Sequence, residues 1–85
     1  MQRFTYTITD AEGIHARPAG LLVKEVKKYQ STVTIDKNGK AINALKLIAL
    51  MSLGVKGGET ITVTVEGPDE EEAAVSLKSF LNENL

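Results

Sequence analysis

Residues 60–66 read Thr-Ile-Thr-Val-Thr-Val-Glu, and this strict alternation of polar and apolar side chains decides the fold class. A period of two built from β-branched residues predicts a strand with one buried face and one solvated face. Residues 3–9 and 32–36 alternate in the same way. The chain therefore contains at least three strands that each need a covering layer on one side only.

Helical periodicity replaces this alternation from Ala16 to about Tyr29, where apolar residues recur at intervals of three and four. Pro18 lies near the start of this helix, where its missing N–H does no harm. After the second strand, Asn38-Gly39 predicts a tight hairpin, since both positions of such a turn adopt a positive φ. The hairpin leads into a short further strand.

Residues 45–53 are almost wholly apolar and are followed by Gly54, which is typical of a helix C-cap. A short helix of this composition is too apolar to bury every side chain. We expect Leu50 to point inward, which turns Ile48 and Met51 partly outward.

The last helix is expected to begin after Asp69, whose carboxylate can cap it, with Glu72 completing a capping box. Acidic side chains in the first turn complement the positive end of the helix dipole. The predicted inner face consists of Ala73, Leu77, Phe80 and Leu81.

The order of elements is therefore βαββαβα, in one domain that spans all 85 residues. Because each strand has a single apolar face, we predict an α+β fold. It is an open-faced two-layer sandwich, in which three helices cover one face of a four-stranded antiparallel sheet.

Composition excludes several classes of function. The chain has no cysteine, which removes disulfides and thiolate metal sites, and its net charge of −1 argues against a general nucleic-acid binder. No apolar run approaches the ~18 residues of a membrane span, and no signal peptide is evident, so we expect a cytoplasmic protein without membrane insertion.

The charges are unevenly distributed along the chain. Residues 1–58 hold nine basic and four acidic side chains, whereas residues 59–85 hold one basic and seven acidic side chains. We expect the basic part to surround the functional site.

His15 is the only histidine and stands directly before the first predicted helix, with Arg17 two residues on. The unpaired N–H groups of a first helical turn hold anions, and the helix dipole disfavours the imidazolium form, which leaves a nucleophilic ring. A guanidinium adds a fork suited to phosphate oxygens. Together these groups indicate a phosphoryl-acceptor site. On position alone, a lone histidine is more often a surface residue or a helix cap, and it makes a poor metal site.

A second candidate site combines apolar and basic side chains on the first and middle helices. Its members are Gly20, Leu21, Lys24, Lys27, Leu47, Ile48 and Met51. They indicate an exposed apolar patch ringed by lysines, although Leu47 and Met51 can equally complete a small core. The sequence has no phosphate loop and no aspartate cluster for magnesium, so an autonomous kinase or ATPase is not expected.

Residues 13–19, Gly-Ile-His-Ala-Arg-Pro-Ala, resemble the active-site segment of the HPr family. These proteins are the histidine-containing phosphocarriers of the bacterial phosphoenolpyruvate:sugar phosphotransferase system. The resemblance covers nearly the whole chain, including the hairpin, residues 50–54 and the turn at residues 67–70. It implies the same βαββαβα fold.

The resemblance implies a stoichiometric carrier without a cofactor or metal rather than an enzyme. His15 would accept a phosphoryl group on Nδ1 from phospho-enzyme I and pass it to the IIA components of sugar permeases. Ala16 and Arg17 would bind the phosphate through backbone N–H groups, and the Arg17 side chain would help to neutralise it. Both partners of a monomeric carrier would dock on one surface, which we call the docking surface: Gly20, Leu21, Lys24, Lys27, Lys46, Leu47, Ile48 and Met51.

Position 46 departs from the family pattern. In the Gram-positive branch a dedicated kinase phosphorylates a serine at this position, whereas this chain has Lys46, and Ser52 does not match the regulatory position. We therefore expect transport competence without control by serine phosphorylation. Leu85 offers no acidic side chain to Arg17, although a terminal carboxylate can pair with it.

Other functions stay open on the sequence alone. A nitrogen-branch phosphocarrier shares the histidine motif and differs in its partners. A non-catalytic regulator could bind proteins through the patch at Leu47, Ile48 and Met51 and would have no need of His15. A small ferredoxin-like ligand-binding domain explains neither His15 with Arg17 nor the last helix.

Overall fold

The computed structural model describes residues 1–85 and contains the predicted elements in the predicted order. The strands are β1 (Gln2–Thr7), β2 (Thr32–Lys37), β3 (Lys40–Asn43) and β4 (Thr60–Glu66). The helices are α1 (Ala16–Val26), α2 (Leu47–Ser52) and α3 (Glu70–Asn84). All strand pairs are antiparallel, and the sheet order is β1-β4-β2-β3. At the hairpin, Asn38 and Gly39 both adopt positive φ, as predicted.

β4 lies between β1 and β2, and its alternation divides the sheet into two faces. Val63 lies opposite Phe4 on one side and Ile35 on the other, which forms an apolar row under the helices. The preceding residue, Thr62, lies opposite Thr5 on the open polar face. The predicted open-faced α+β sandwich is confirmed.

The core fills the space between the apolar face of the sheet and the three helices. Its largest fully buried side chains come from strands, helices and the β1–α1 loop: Ile8, Leu22, Val26, Val33, Ile35, Leu50, Ile61, Val63, Val65, Leu77 and Leu81. On α3, Ala73, Leu77 and Leu81 are buried as predicted, whereas Phe80 is only partly buried against the core.

α1 is shorter than its periodicity predicts, since it ends at Val26 rather than near Tyr29. Lys28 and Tyr29 donate backbone hydrogen bonds to residues three positions earlier, which tightens the chain into a turn. The next two residues, Gln30 and Ser31, donate hydrogen bonds to the carboxylate of Asp69, at the start of α3. This tertiary contact turns the chain toward β2 and has no signature in the local pattern.

The carboxylate of Asp69 joins the loop after α1 to the start of α3. We call this contact, of Asp69 with Gln30 and Ser31, the Asp69 clasp. Asp69 occupies the N-cap position of α3, but its carboxylate makes no hydrogen bond to that helix. Instead, its two oxygens accept hydrogen bonds from the Ser31 hydroxyl at 2.5 Å and from the Gln30 N–H at 2.9 Å. The carboxylate therefore stabilises a contact between two loops rather than a helix end.

Gly67 permits the clasp because the two loops approach closely there. A Cβ at Gly67 would lie 2.6 Å from the Cα of Ser31, so any other residue would push the loops apart. The Gly67 N–H donates to the Glu70 carboxylate at 3.2 Å, while Glu72 is exposed. The predicted capping box of Asp69 with Glu72 is therefore wrong, because Asp69 is used across the fold.

We expect Asp69→Asn to lower the melting temperature at pH 7. The Ser31 hydroxyl, and then the Gln30 N–H, hold the pKa of the Asp69 carboxyl below its ordinary value. A lowered pKa in the folded state stabilises the fold above the unfolded value of about 3.9, and this contribution is lost as the pH falls through the folded value. The difference between variant and wild type should therefore shrink on acidification.

Thermal unfolding followed by circular dichroism at a series of pH values checks this prediction. Glu72→Gln is the matched control, since it removes an exposed carboxylate from the same helical turn. Equal melting temperatures for wild type and Asp69→Asn at pH 7 would contradict the clasp.

Candidate functional site

His15 occupies the N-cap position of α1 at the end of the loop that follows β1. Its backbone is extended (φ −100°, ψ −176°), and its carbonyl accepts the hydrogen bond from the Ala19 N–H at 3.0 Å. The imidazole makes no capping hydrogen bond and is 36% exposed. The backbone thus begins the helix while the ring stays available to a partner.

The loop before His15 is anchored to the connection between α2 and β4. Ile14 is buried and donates its N–H to the Val55 carbonyl at 3.0 Å. Gly13 adopts φ +69°, and a Cβ there would fall 1.9 Å from the same Val55 oxygen, so only glycine fits. These contacts hold the histidine in place relative to the rest of the fold.

Two carboxylates lie beside the His15 ring, and neither was predicted from the sequence. Asp10 Oδ2 is 3.7 Å from Nε2, and Glu12 Oε2 is 3.9 Å from Nδ1. Both distances describe electrostatic contacts, because they exceed the range of a hydrogen bond. The surroundings of His15 therefore include acidic as well as basic side chains. A tight turn brings the carboxylates of Asp10 and Glu12 back to the ring. This contact depends on the fold, and a count of charges along the sequence does not reveal it.

Arg17 lies in the first turn of α1, with an exposed guanidinium that forms no ion pair or hydrogen bond within the chain. With His15 it lines a shallow cleft of about 240 Å³, which we call the His15 cleft. Its lining is Asp10, His15, Arg17, Pro18, Leu21, Glu83 and Asn84. The last turn of α3 thus contributes to the site.

Leu85 does not pair with Arg17. Its carbonyl oxygen accepts hydrogen bonds from the N–H groups of Thr9 and Asp10, at 2.6 and 2.9 Å, and from the Thr9 hydroxyl at 2.8 Å. The end of the chain therefore fixes the loop that carries Asp10, and the Arg17 side chain keeps its charge available.

The predicted docking surface lies on the outer faces of α1 and α2, which pack against each other. Ile48 is 75% exposed, and Leu21, Leu47 and Met51 are each exposed by more than a third. Leu47 and Met51 therefore do not complete a core. Gly20 is partly exposed, and the lysines of the docking surface are exposed: Lys24, Lys27 and Lys46.

α2 begins at Leu47 rather than at residue 45, with Lys46 in the N-cap position. The Asn43 side chain accepts a hydrogen bond from the Leu45 N–H at 2.8 Å, and the Asn43 carbonyl accepts one from the Lys46 N–H at 3.0 Å, so the chain makes a turn before the helix. Leu45 itself is 46% exposed and extends the apolar surface beside α2. The hydrophobic run alone did not reveal where the helix starts.

Lys37 holds the other end of α2. Its ammonium group donates to the carbonyls of Leu53 and Gly54, at 3.3 and 3.0 Å, and pairs with Glu59 at 3.1 Å. The pKa of Glu59 is lowered, first by the N–H of Lys56 and then by Lys37. A cation on the last carbonyls of a helix complements its dipole, so this contact helps to set the position of α2.

A surface histidine beside a free arginine, at the start of a helix on an open-faced βαββαβα sandwich, defines a class of small phosphocarrier domains. The family profile described as "PTS HPr component phosphorylation site" matches residues 2–83. The chain belongs to the HPr family of the phosphotransferase system.

Individual relatives agree with this assignment. The HPr-like protein Crh of Halalkalibacterium halodurans is 45% identical over 69 residues, which cover 81% of this chain and 82% of the relative. The crystal structure of HPr from Thermoanaerobacter tengcongensis superposes with a TM-score of 0.93 at 37% identity, covering 99% of this chain and 94% of that one. Crh of Bacillus subtilis, described as a domain-swapped dimer, superposes with a TM-score of 0.79 at 35% identity, covering 100% and 98%.

None of the helices is long and apolar enough to cross a membrane.

The two faces of α2 predict opposite responses to truncation. Leu50 is fully buried, so Leu50→Ala should reduce the free energy of unfolding by about 2–5 kcal/mol. Ile48 projects from the same helix into solvent, so Ile48→Ala should change it by less than about 0.5 kcal/mol. Urea denaturation measures both values, and a loss at Ile48 that matches the loss at Leu50 would show that the docking surface belongs to the core.

Proposed function

We propose that His15 accepts a phosphoryl group from phospho-enzyme I and passes it to the IIA components of sugar permeases. The observation that carries this proposal is the His15 cleft, where an accessible imidazole and an unpaired guanidinium share one open surface. A surface residue without a function would need neither the anchored loop nor the neighbouring free arginine.

The chain acts as a stoichiometric carrier, because the phosphoryl group rests on His15 between two partner proteins. Arg17 supplies the positive charge that compensates the phosphate oxygens, and its planar fork suits their geometry. The first-turn N–H groups of Ala16 and Arg17 complete the phosphate site, since early N–H groups of a helix lack intrahelical partners.

Both partners use the docking surface, which adjoins the His15 cleft. Leu21 belongs to both, so a partner seated on α1 and α2 also reaches the histidine. Apolar side chains among exposed lysines suit an acidic partner with an apolar contact at its centre. Such a mixed and modest surface suits complexes that must dissociate after each transfer.

We further propose a monomeric, cytoplasmic carrier. His15 and Arg17, the two side chains that the proposed transfer requires, both belong to one copy of the chain. Some relatives form dimers. A molecular mass in solution that corresponds to a dimer would therefore contradict the proposed monomer. Which branch of the phosphotransferase system the carrier serves depends on its partners.

The second candidate is a regulator that binds proteins through the docking surface without phosphoryl transfer. The 45% identity to an HPr-like protein named Crh favours it, as does the catabolite-repression description of the Bacillus subtilis relative. His15 discriminates between the two functions, since only the carrier requires it.

Incubation with enzyme I, magnesium and phosphoenolpyruvate should label the protein with an acid-labile phosphate, and His15→Ala should abolish the label. Arg17→Ala should slow labelling by about tenfold or more, because one charge that stabilises the transferring group is lost. Its stability should change little, since the side chain is exposed.

Arg3→Ala is the matched control, because Arg3 is the other arginine of the chain and lies on the open face of the sheet. It should be labelled at the wild-type rate. Equal labelling of His15→Ala and wild type would contradict the carrier function, and an unlabelled wild type that still binds partner proteins would favour the regulator.

Incubation with an HPr kinase and ATP should leave the protein unmodified, as read by mass spectrometry. Lys46 stands where the family's regulatory serine lies, and the Ser52 hydroxyl donates to the Ile48 carbonyl at 2.8 Å within α2. Lys46→Ser is the positive control and should gain one phosphate. Phosphorylated Ser52 in the wild type would contradict the absence of serine control.

A further inference from the structure

We propose that Asp10 is a positioning residue for His15: it holds the ring proton on Nε2 and so keeps the lone pair of Nδ1 free to accept the phosphoryl group. The inference rests on the proposed carrier function and adds to it a residue from the loop before the histidine motif. The contact between Asp10 Oδ2 and Nε2, at 3.7 Å, carries it.

Asp10 is held in place by three hydrogen bonds. Its backbone N–H donates to the Leu85 carbonyl, and its carbonyl accepts from the Gly13 N–H, each at 2.9 Å. Its Oδ1 accepts from the Glu12 N–H at 2.9 Å. With the backbone and one carboxylate oxygen fixed, the other oxygen remains on the side of the imidazole.

Glu12 lies on the opposite side of the ring but is a weaker competitor for the proton. Its carboxylate is 3.9 Å from Nδ1 and 77% exposed, and no hydrogen bond within the chain holds it. Water screens such a charge, and the long side chain can turn away when a phosphoryl group arrives. The remaining charged groups of the His15 cleft are Arg17 and Glu83.

A carboxylate that accepts from one imidazole nitrogen fixes the tautomer, and so decides which nitrogen is the nucleophile. The Ser-His-Asp triad uses this principle, and its carboxylate-to-amide variant loses activity because the ring adopts the wrong tautomer. Hydrogen bonds of this kind are often long in the free protein and shorten when the partner binds. In the free chain the 3.7 Å between Asp10 Oδ2 and Nε2 is an electrostatic contact, which must shorten into a hydrogen bond when a partner covers the site.

The transfer step then needs no proton movement. The Nδ1 lone pair forms the new N–P bond, the bond between phosphorus and the donor protein breaks, and its electron pair returns to the donor. The proton stays on Nε2, so the phosphorylated ring carries a positive charge that the Asp10 carboxylate neutralises. In the onward transfer the N–P electron pair returns to Nδ1.

Asp10→Asn tests the proposal with little change of shape. The amide oxygen can still accept from the Glu12 N–H, whereas the amide NH₂ then faces Nε2 and requires a lone pair there. We expect ¹⁵N NMR of the neutral ring to show a shift toward the Nδ1–H tautomer. We expect the initial rate of labelling by enzyme I to fall about tenfold, less than in a buried triad because the site is partly solvated.

Glu12→Gln is the matched control, since it makes the same chemical change on the other side of the ring. It should keep the wild-type tautomer and at least the wild-type rate. An unchanged tautomer in Asp10→Asn overturns the proposal whatever the rate does, and so does an equal fall in rate for Glu12→Gln. A wild-type ring that is mainly Nδ1–H overturns it without any variant.

The NMR measurement needs no phosphoryl donor, so the two levels of the argument can fail separately. If the wild type is not labelled, the carrier function fails while the tautomer still reports on Asp10. If the wild type is labelled and the tautomer of Asp10→Asn is unchanged, only the role of Asp10 fails.

Discussion

The pleat of β4 places Ile61, Val63 and Val65 on one side of the sheet and the intervening threonines on the other. Burial of these three side chains requires a layer of helices, and the polar side requires none. All three helices therefore pack on one face, with their ends and connecting loops close together. The site depends on this arrangement, because its groups come from the β1–α1 loop, the first turn of α1 and the last turn of α3.

The position of His15 follows from packing rather than from its own contacts. The buried Ile14 and the close approach of Gly13 to Val55 fix the loop, and the helix that starts at Ala16 sets its direction. The ring itself makes no hydrogen bond, which suits the proposed role of accepting and releasing a phosphoryl group. Ile14 and Gly13 hold the backbone of the loop in place, while the His15 side chain stays accessible to solvent.

α2 combines a buried side chain that stabilises the core with exposed apolar side chains on its outer face. Leu50 is fully buried, while Ile48, on the opposite side of the helix, is largely exposed. Lys37 holds the end of the helix from the sheet side, so the exposed side chains stay in a fixed orientation. This fixed apolar surface is the one proposed to dock the partner proteins.

The sequence alone determined the fold class, the order of elements and the juxtaposition of His15 with Arg17, because period and spacing are local properties of the backbone. It also predicted the inward Leu50 and the outward Ile48. Only the tertiary structure decided that Asp69 clasps Gln30 and Ser31 instead of capping α3, and that α1 ends at Val26. It alone brought two acidic side chains to the histidine and the last turn of α3 to the cleft. These contacts depend on how the loops pack, because the residues are far apart along the chain or because the loop sets the direction of their side chains. A periodic pattern contains neither kind of information.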